Sequence, residues 1–366
     1  MRITTALTPS TGAPFEIVPL DLDDPRPGEV LVRIVGSGIC HTDLIVRDQW
    51  YPVPLPAVLG HEGSGIVEAI GPGVTSVAPG DHVVLTYNSC GQCRSCAHGR
   101  SAYCDEIYTY NFAGTRPDGT TTLRRDGTPV YGAFFGQSAF ASHALANQRN
   151  VVKVDPAAPL ELLGPLGCGI QTGAGGVLNA LRPAPGTSIA VFGSGSVGLS
   201  AIMASVIAGC TTIIAVDLND RRLDLAEELG ATHTVNADRE DVVDRIRAAT
   251  GGLGVDFTLE TTAIPAVLRQ AVDALNQGGT CGHIGAARPG TEVSLDMAAL
   301  MFGRTVRGIV EGDSIPSVFI PRLVTLFKQG RFPIDKLITT YAFENINGAV
   351  QDAEKGLSIK SVLTFK

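Results

Sequence analysis

The sequence predicts an α/β protein in which a doubly wound parallel sheet is joined to a second, mostly β domain. Its 366 residues exceed the roughly 250–300 at which single cores stop growing, so two domains are expected. The middle of the chain alternates strand and helix patterns, which implies a parallel sheet covered on both faces. The part before it contains short β-type runs separated by Gly and Pro, which is typical of an irregular β domain.

The predicted elements follow the chain in this order. The first part contains strands at 30–35, 65–70 and 82–85. The middle part contains strands at 188–192, 212–216, 255–260 and 279–284, with helices at 197–208, 219–229 and 265–275. A last strand lies at 361–365. The predicted boundaries assign residues 1–168 and 313–366 to the mostly β domain and residues 169–312 to the α/β domain.

Composition narrows the classes of function. The formal net charge of −8 argues against a nucleic-acid binder, which needs a basic face to neutralise phosphates. The first ten residues contain no secretory signal pattern. The charge-free stretch 183–216 is interrupted by glycines and prolines, so a buried strand–turn–helix–strand is expected rather than a membrane span. We therefore expect a cytoplasmic protein that contacts neither membrane nor nucleic acid.

A glycine pattern predicts a dinucleotide site. Gly193, Gly195 and Gly198 form a Gly-x-Gly-x-x-Gly loop between a predicted strand and a predicted helix. These glycines allow a tight turn and close approach to a pyrophosphate, which the helix N-terminus attracts, as in a Rossmann domain. Asp217 ends the next strand, where a carboxylate accepts hydrogen bonds from the adenosine ribose and favours NAD over NADP. The alternative is an unrelated glycine-rich turn, with Asp217 capping the following helix.

Eight cysteines in a reducing compartment point to metal rather than disulfides. Four of them lie close together at about 89–105 and can close a tetrahedral, structural zinc shell: Cys90, Cys93, Cys96 and Cys104. Two disulfides, a redox cluster or an iron–sulfur cluster are the alternatives. Cys210 and Cys281 are expected to be packing residues.

Three further residues lie in glycine-flanked turns, namely Cys40, His61 and Cys168. Two thiolates and one imidazole could make a three-ligand zinc site with one open position, which is the known ligand set of alcohol dehydrogenases. From spacing alone, however, His61 is equally consistent with a hydrogen-bonded core residue and Cys168 with a small buried apolar residue.

Several motifs together indicate a family. GHEG, the four-cysteine lobe, CGIQTG, GSGSVG and the SIKSVLTF ending occur in that order. In these motifs the chain resembles the zinc-containing medium-chain alcohol dehydrogenases. The resemblance implies a GroES-like catalytic domain beside the Rossmann domain, NAD as cofactor and two Zn²⁺ per chain.

The resemblance also implies roles for single residues. The catalytic zinc ligands would be Cys40, His61 and Cys168, with Glu62 behind the metal, Asp43 orienting His61 and Thr42 bonding the alcohol hydroxyl. The structural zinc would be held by Cys90, Cys93, Cys96 and Cys104. Cofactor contacts beyond the glycine loop and Asp217 would come from His41 and Lys360 at the pyrophosphate, Arg222 at the ribose, Thr172 and Val197 at the nicotinamide, and Ile284.

The implied reaction is NAD-dependent oxidation of a primary alcohol to its aldehyde, and the reverse. The segment 40–43 with Ile45, and the segment 136–140, resemble the aryl-alcohol (benzyl alcohol) dehydrogenase branch, which implies benzylic, allylic or terpenoid substrates. Ile45 stands where some members carry a histidine that ends a proton relay. The alternatives are a thiol-adduct-dependent formaldehyde dehydrogenase and a non-catalytic dinucleotide-binding protein. A homodimer paired through residues near 305–312, or a homotetramer, is expected from the family.

Overall fold

The structure is a computed structural model that describes residues 1–365. It divides into two compact units, one formed by Met1–Gly169 with Ile315–Lys366 and the other by Ile170–Ser314. The chain passes between the units after Gly169 and after Ser314, whereas the sequence placed the passages after residues 168 and 312.

The first unit is mostly β. Its N-terminal strands are β1 Arg2–Thr8, β2 Glu16–Leu22, β3 Glu29–Gly38, β4 Ala57–Val58, β5 Glu62–Ile70, β6 His82–Leu85, β7 Leu123–Arg125, β8 Thr128–Val130, β9 His143–Asn147 and β10 Val151–Lys153. The short helices in this part of the unit are α1 His41–Arg47, α2 Arg94–Ala97 and α3 Ile107–Asn111. Helix α4, Gly169–Gly175, begins at Gly169, where the chain leaves the first unit for the second.

The second unit alternates strand and helix. Its strands are β11 Ser188–Phe192, β12 Thr212–Asp217, β13 His233–Asn236, β14 Val255–Glu260, β15 Leu275–His283 and β16 Thr305–Gly308. Its helices after α4 are α5 Ser196–Ala208, α6 Asp220–Glu228, α7 Val242–Ala249, α8 Pro265–Asp273 and α9 Met297–Met301. The chain then returns to the first unit with α10 Pro316–Lys328, β17 Ile338–Ala342, α11 Ile346–Glu354 and β18 Lys360–Thr364.

The sheets of the first unit place its functional loops. One sheet has the order β4-β1-β2-β7-β8, and the other has the order β10-β6-β5-β3-β18-β17, with β9 pairing β3. Antiparallel pairing of β3 with β5 sets Gly38 opposite Glu62. This register brings the end of β3 beside the start of β5, and β18 pairs with the same end of β3 at Gly38.

The second unit is a six-stranded parallel sheet in the order β13-β12-β11-β14-β15-β16. The strand order reverses between β11 and β14, and ligands of such sheets bind outside the carboxyl ends of the strands at this switch point. Its buried core is aliphatic and includes Ala190, Ile214, Val216 and Val255. The predicted fold class, a Rossmann-type parallel sheet in one unit and a mostly β second unit, is confirmed.

One predicted helix ends earlier in the structure than expected. The helix predicted at 265–275 ends at Asp273, because Leu275 begins β15 and pairs with Val255 of β14. The charge-free stretch 183–216 forms β11, α5 and nearly all of β12, as expected. Among residues 1–365, none of the helices combines the length and apolar character that a membrane crossing requires.

Candidate metal and dinucleotide sites

One cluster of potential metal ligands lies in the first unit. Cys40, His61, Glu62 and Cys168 each offer a ligand atom, and these atoms all lie within 4.8 Å of one another. Cys40 precedes α1 at the end of β3, Glu62 begins β5, and Cys168 precedes α4. The β3–β5 register therefore joins residues that are far apart in the sequence.

His61 is oriented by Asp43. The Nδ1 atom of His61 lies 2.8 Å from Oδ1 of Asp43, and both side chains are fully buried. A carboxylate only accepts hydrogen bonds, so Nδ1 carries a proton and Nε2 is the ring nitrogen left for a metal. The same carboxylate accepts from the backbone N–H of Gly60 at 3.2 Å and of Cys40 at 2.9 Å. Asp43 thus ties two of the predicted ligands together.

The Nε2 atom of His61 tests whether a metal fits. This atom is buried and has no hydrogen-bond partner in the described structure. A buried polar atom without a partner costs free energy, and a bound metal ion would remove that cost. Two cysteine sulfurs lie within the same 4.8 Å cluster. One imidazole nitrogen and two sulfurs are donors that Zn²⁺ takes, so the residues fit the predicted metal.

Glu62 faces a different partner. Its two carboxylate oxygens each accept a hydrogen bond from Nζ of Lys360 at 2.9 Å, and Oε1 also accepts from the backbone N–H of Gly169 at 3.2 Å. Lys360 donates its third bond to the carbonyl oxygen of Ile39 at 3.1 Å. Burial works to lower the pKa of Lys360, but the charges of Glu62 and Cys40 outweigh it and raise that pKa.

These contacts bear on the predicted role of Lys360. Its three N–H donors are all engaged within the first unit, so this arrangement leaves none for a cofactor pyrophosphate. The structure instead places its positive charge beside the ligand cluster. The hydrogen bond with Cys168 lowers the pKa of Cys40 well below its ordinary value, and His61 and Lys360 act in the same direction against burial. The lysine therefore favours the thiolate form.

The other predicted residues of this region lie on α1. The Thr42 hydroxyl is 3.7 Å from Sγ of Cys40, beside the ligand cluster. His41 is exposed and contacts Trp50 edge to face at 6.4 Å between ring centroids. Ile45 is 2% exposed, so a histidine introduced at this position would enter an apolar core within this unit.

The four-cysteine lobe forms a second ligand cluster. Its four sulfur atoms lie within 4.8 Å of one another, and all eight cysteines, which lie within the described residues, are free thiols. Backbone N–H groups point at the sulfurs: Cys93 N–H donates to Cys90 Sγ at 3.2 Å and Cys90 N–H to Cys104 Sγ at 3.3 Å. The N–H groups of Cys96 and Asp105 lower the pKa of Cys93 to about 7, while burial raises the pKa of Cys104 to about 12. The geometry fits a closed tetrahedral shell.

The glycine loop follows β11 in the second unit. Gly193 has φ +91°, a conformation that favours glycine. A Cβ atom at Gly198 would lie 1.8 Å from the carbonyl oxygen of Gly193, whereas one at Gly195 would meet no atom within 4 Å. Gly198 therefore allows α5 to pack against the loop, and Gly195 leaves open space in front of it. Both features suit a bound pyrophosphate.

Asp217 closes the same loop. Its Oδ2 accepts a hydrogen bond from Ser194 N–H at 2.6 Å, and its Oδ1 accepts from Leu218 and Asn219 N–H at 2.8 and 2.9 Å. The N-cap of α6 is Asn219, whose side chain accepts from Arg221 N–H, so Asp217 is not the helix cap. Carboxylate oxygens have further acceptor positions, which ribose hydroxyls could use.

The remaining predicted cofactor residues lie in the second unit at separate places. Thr172 on α4 donates its hydroxyl hydrogen to Glu311 at 3.3 Å. Val197 is in the first turn of α5, and Ile284 directly follows β15. The Nε atom of Arg222 is buried and has no hydrogen-bond partner in the described structure, which leaves a donor for a ligand.

Sequence reasoning missed two groups of contacts. Gln137 and Phe135 pack against His61, and His283 lies 2.8 Å from Glu260 across neighbouring carboxyl ends of β14 and β15. The motif around residues 136–140 was noticed only as a family resemblance. Nothing in one sequence shows which distant backbone groups a buried glutamine will bond.

Comparison with known proteins gives the family. Residues 26–156 match the alcohol dehydrogenase GroES-like domain, and residues 196–329 match the zinc-binding dehydrogenase domain. Geraniol dehydrogenase of Castellaniella defragrans is 47% identical over 98% of this chain and 97% of its own length. The benzyl alcohol dehydrogenase structure from Acinetobacter calcoaceticus is 49% identical with a TM-score of 0.97, and both chains are covered in full.

A second solved structure, an alcohol dehydrogenase zinc-binding domain protein from Burkholderia ambifaria, is 56% identical with a TM-score of 0.98, covering 100% of this chain and 99% of that one. These matches extend over both units and include both ligand clusters and the glycine loop. The chain belongs to the zinc-binding medium-chain alcohol dehydrogenases, an oxidoreductase family.

Proposed function

We propose that the protein oxidises primary alcohols with a conjugated or aromatic group next to the carbinol carbon, with NAD as hydride acceptor, and catalyses the reverse reaction. The observation that carries this proposal is the cluster of Cys40, His61 and Cys168, in which His61 Nε2 has no hydrogen-bond partner within the described structure. A zinc ion held by three protein ligands keeps one position open, as the alcohol requires.

Zinc and NAD would supply the chemistry that the side chains of the protein cannot supply. Zinc would lower the pKa of the alcohol hydroxyl, and NAD would accept the hydride. Asp43 holds His61 in the Nδ1–H tautomer, so that Nε2 faces the cluster. Thr42, whose hydroxyl lies 3.7 Å from Cys40 Sγ, would accept the hydroxyl proton and pass it on. Gly193, Gly195 and Gly198 would hold the pyrophosphate, and the Asp217 carboxylate would bond the ribose and disfavour a 2′-phosphate.

Aromatic side chains near the cluster support the substrate class. Phe135 stacks on His61 with 4.4 Å between ring centroids, Phe112 lies 5.1 Å from Phe135, and Tyr51 lies 6.0 Å from Phe112. Aromatic rings pack favourably against flat π systems. The identity of nearly half the residues with enzymes named for geraniol and benzyl alcohol points the same way.

A screen of NAD reduction tests the proposal. Benzyl alcohol and geraniol should be oxidised with kcat/KM at least tenfold above ethanol, and NAD should be preferred to NADP. The Cys40→Ser variant should keep its fold and its four-cysteine zinc while losing the other zinc and alcohol oxidation. Turnover confined to S-hydroxymethylglutathione would indicate a formaldehyde dehydrogenase instead. NAD binding without any alcohol turnover, with one zinc per chain, would indicate a non-catalytic dinucleotide-binding protein.

The proposal also covers the oligomeric state, the cellular location and the partners of the protein. We expect a homodimer, or a tetramer of such dimers, formed through the edge strand β16 and the residues after it. Exposed apolar side chains beside this edge support it, namely Met297, Met301, Phe302 and Val310. A cytoplasmic location and small-molecule partners, without nucleic acid or membrane, are proposed on the net charge of −8 and the family.

A further inference from the structure

The segment 133–138 in the first unit has an unusual backbone. Four of its six residues have positive φ: Ala133 at +59°, Phe135 at +51°, Gly136 at +63° and Ser138 at +56°. Three of these are not glycine, and each such residue carries a conformational cost. Strain of this kind persists only where the surroundings impose it, and it is concentrated at functional sites.

Buried hydrogen bonds impose this conformation. The Ser138 hydroxyl donates to the carbonyl oxygen of Val58 at 2.7 Å and accepts from Phe134 N–H at 2.9 Å. Asn150 is fully buried, and its amide donates to the carbonyl oxygens of Phe135 and Gly136 at 3.3 and 3.2 Å. Segment 133–138 is therefore held from both sides by groups outside it.

The strained segment places three side chains against His61. Phe135 is stacked on the imidazole, with 4.4 Å between ring centroids and an interplanar angle of 28°. Gln137 is 2% exposed, and its amide nitrogen donates to the His61 carbonyl oxygen at 2.9 Å while its amide oxygen accepts from Gly63 N–H at 3.1 Å. Phe134 meets the imidazole edge to face at 5.4 Å.

His61 is thus constrained at Nδ1, on one ring face and along its main chain. Asp43 holds Nδ1, Phe135 covers one ring face, and Gln137 fixes the main chain at His61 and Gly63. The atom left without a partner in the described structure is Nε2. Rotation of the imidazole about its Cβ–Cγ bond would have to break the Asp43 hydrogen bond and displace the Phe135 ring.

We propose that Phe135 and Gln137 are positioning residues, which fix the plane and the main chain of His61 so that Nε2 is pre-oriented for the metal. This inference rests on the metal site of the proposed function. Phe135 acts through the face of the imidazole. Gln137 acts through the main chain, at the carbonyl group of His61 and the N–H group of Gly63. The backbone strain of segment 133–138 is offset by the hydrogen bonds of Ser138 and Asn150, and it serves to bring both side chains to one residue.

The test uses the four-cysteine lobe as an internal standard. Zinc release from the purified enzyme to a chromogenic chelator is measured for Phe135→Leu, Gln137→Glu and the control Phe140→Leu. Phe140 is also buried, and its ring packs edge to face against Phe15 with 5.6 Å between ring centroids. Gln137→Glu keeps an acceptor for Gly63 N–H and removes the donors, which covers the case that Phe135→Leu does not fold.

The expected result is selective. In Phe135→Leu and Gln137→Glu, one zinc per chain should leave at least about tenfold faster, whereas the zinc of the four-cysteine lobe should not change. After cobalt substitution, the visible absorption bands of the three-ligand site should shift in these variants and stay in place in Phe140→Leu.

Two outcomes would overturn the inference. If the wild-type protein holds two zinc ions and the Phe135, Gln137 and Phe140 variants release them alike, the positioning role is wrong while the proposed function stands. If the wild-type protein binds only the zinc of the four-cysteine lobe, the metal site of the proposed function is wrong, and the positioning role with it.

Discussion

At the scale of single residues, the first unit shows how one buried carboxylate organises a ligand cluster. Asp43 is fully buried, yet both of its oxygens accept hydrogen bonds, from His61 Nδ1 and from the N–H groups of Gly60 and Cys40. A buried charge is tolerated only when it is paired in this way. Two predicted ligands therefore depend on one side chain that is not itself a predicted ligand.

We predict that Asp43→Asn weakens metal binding at the three-ligand cluster by about 10- to 100-fold. The amide can present its NH₂ group to His61, which would favour the tautomer with the proton on Nε2. Competition with a chelator, measured as zinc retained per chain, checks the prediction. The control is Asp155→Asn, which breaks an exposed pair with Lys328 and should leave zinc binding unchanged. Equal zinc retention in both variants would contradict the role of Asp43.

A second residue-scale prediction concerns pH. Burial lowers the pKa of His143, with Arg33 acting in the same direction and Glu68 opposing it. The unfolded chain, with a histidine pKa of about 6.5, therefore binds a proton that the folded chain does not. Stability is greatest above about pH 6.5 and falls as the pH drops from there toward the folded pKa.

The His143→Gln variant should lose this slope. The free energy of unfolding of the variant minus that of wild type, measured by urea denaturation, should therefore increase as the pH falls from 7.5 to 5.5. The exposed His233→Gln variant controls for the removal of a histidine. A constant difference between His143→Gln and wild type across this range would show that His143 does not carry the effect.

At the scale of elements, two glycines of one loop have different expected roles, one in the folding of the unit and the other in dinucleotide binding. Gly198 packs against the carbonyl oxygen of Gly193, whereas Gly195 faces open space. We predict that Gly198→Ala destabilises the second unit, with a melting temperature lower by several degrees, because its Cβ would lie 1.8 Å from a backbone oxygen. Thermal unfolding followed by circular dichroism measures this.

Gly195→Ala should behave in the opposite way. Its Cβ meets nothing in the protein, and its φ of −77° is accessible to alanine, so the melting temperature should stay within about 1–2 °C of wild type. Dinucleotide affinity should fall at least about tenfold, because the added methyl group occupies the space offered to the pyrophosphate. Unchanged NAD affinity, measured by calorimetry, would count against a pyrophosphate at this loop.

Predictability differed among the elements of the second unit. The predicted strands 188–192 and 255–260 agree with β11 and β14. The first is a continuous apolar run after Ser188, as expected of a strand buried in a parallel sheet, whereas the second also contains Asp256, Thr258 and Glu260. The short strand β13 and the helix α7 were not predicted, because charged residues flank them in the sequence and their packing against β12, α6 and α8 is a tertiary feature. The predicted helix 265–275 extends beyond the observed end of α8 at Asp273, because periodicity does not mark where a chain leaves a helix for a strand.

At the scale of the whole molecule, the exposed edge of the six-stranded sheet predicts assembly. β16 is an edge strand, and Met301 beside it is 76% exposed. A sheet edge with exposed apolar neighbours favours pairing with a second copy. We predict a mass of at least twice 38.2 kDa in light scattering, and a shift toward the single-chain mass in Met301→Glu. A wild-type protein with the single-chain mass would contradict the proposed dimer.

The sequence by itself determined the features whose chemistry is local. The four cysteines of the lobe and the three glycines of the loop each lie within a short stretch, so their spacing was enough to predict a metal site and a dinucleotide site. The alternation of strand and helix likewise determined the parallel sheet, because side-chain periodicity follows backbone geometry.

Only the tertiary structure decided which distant residues meet. Cys40, His61 and Cys168 come together because β3 pairs with β5 and because the chain passes the same end of that sheet before α4. The buried bonds of Gln137 and the pairing of Lys360 with Glu62 also join residues far apart in the chain. Contacts of this kind depend on strand register and packing, which the pattern of one sequence does not encode position by position.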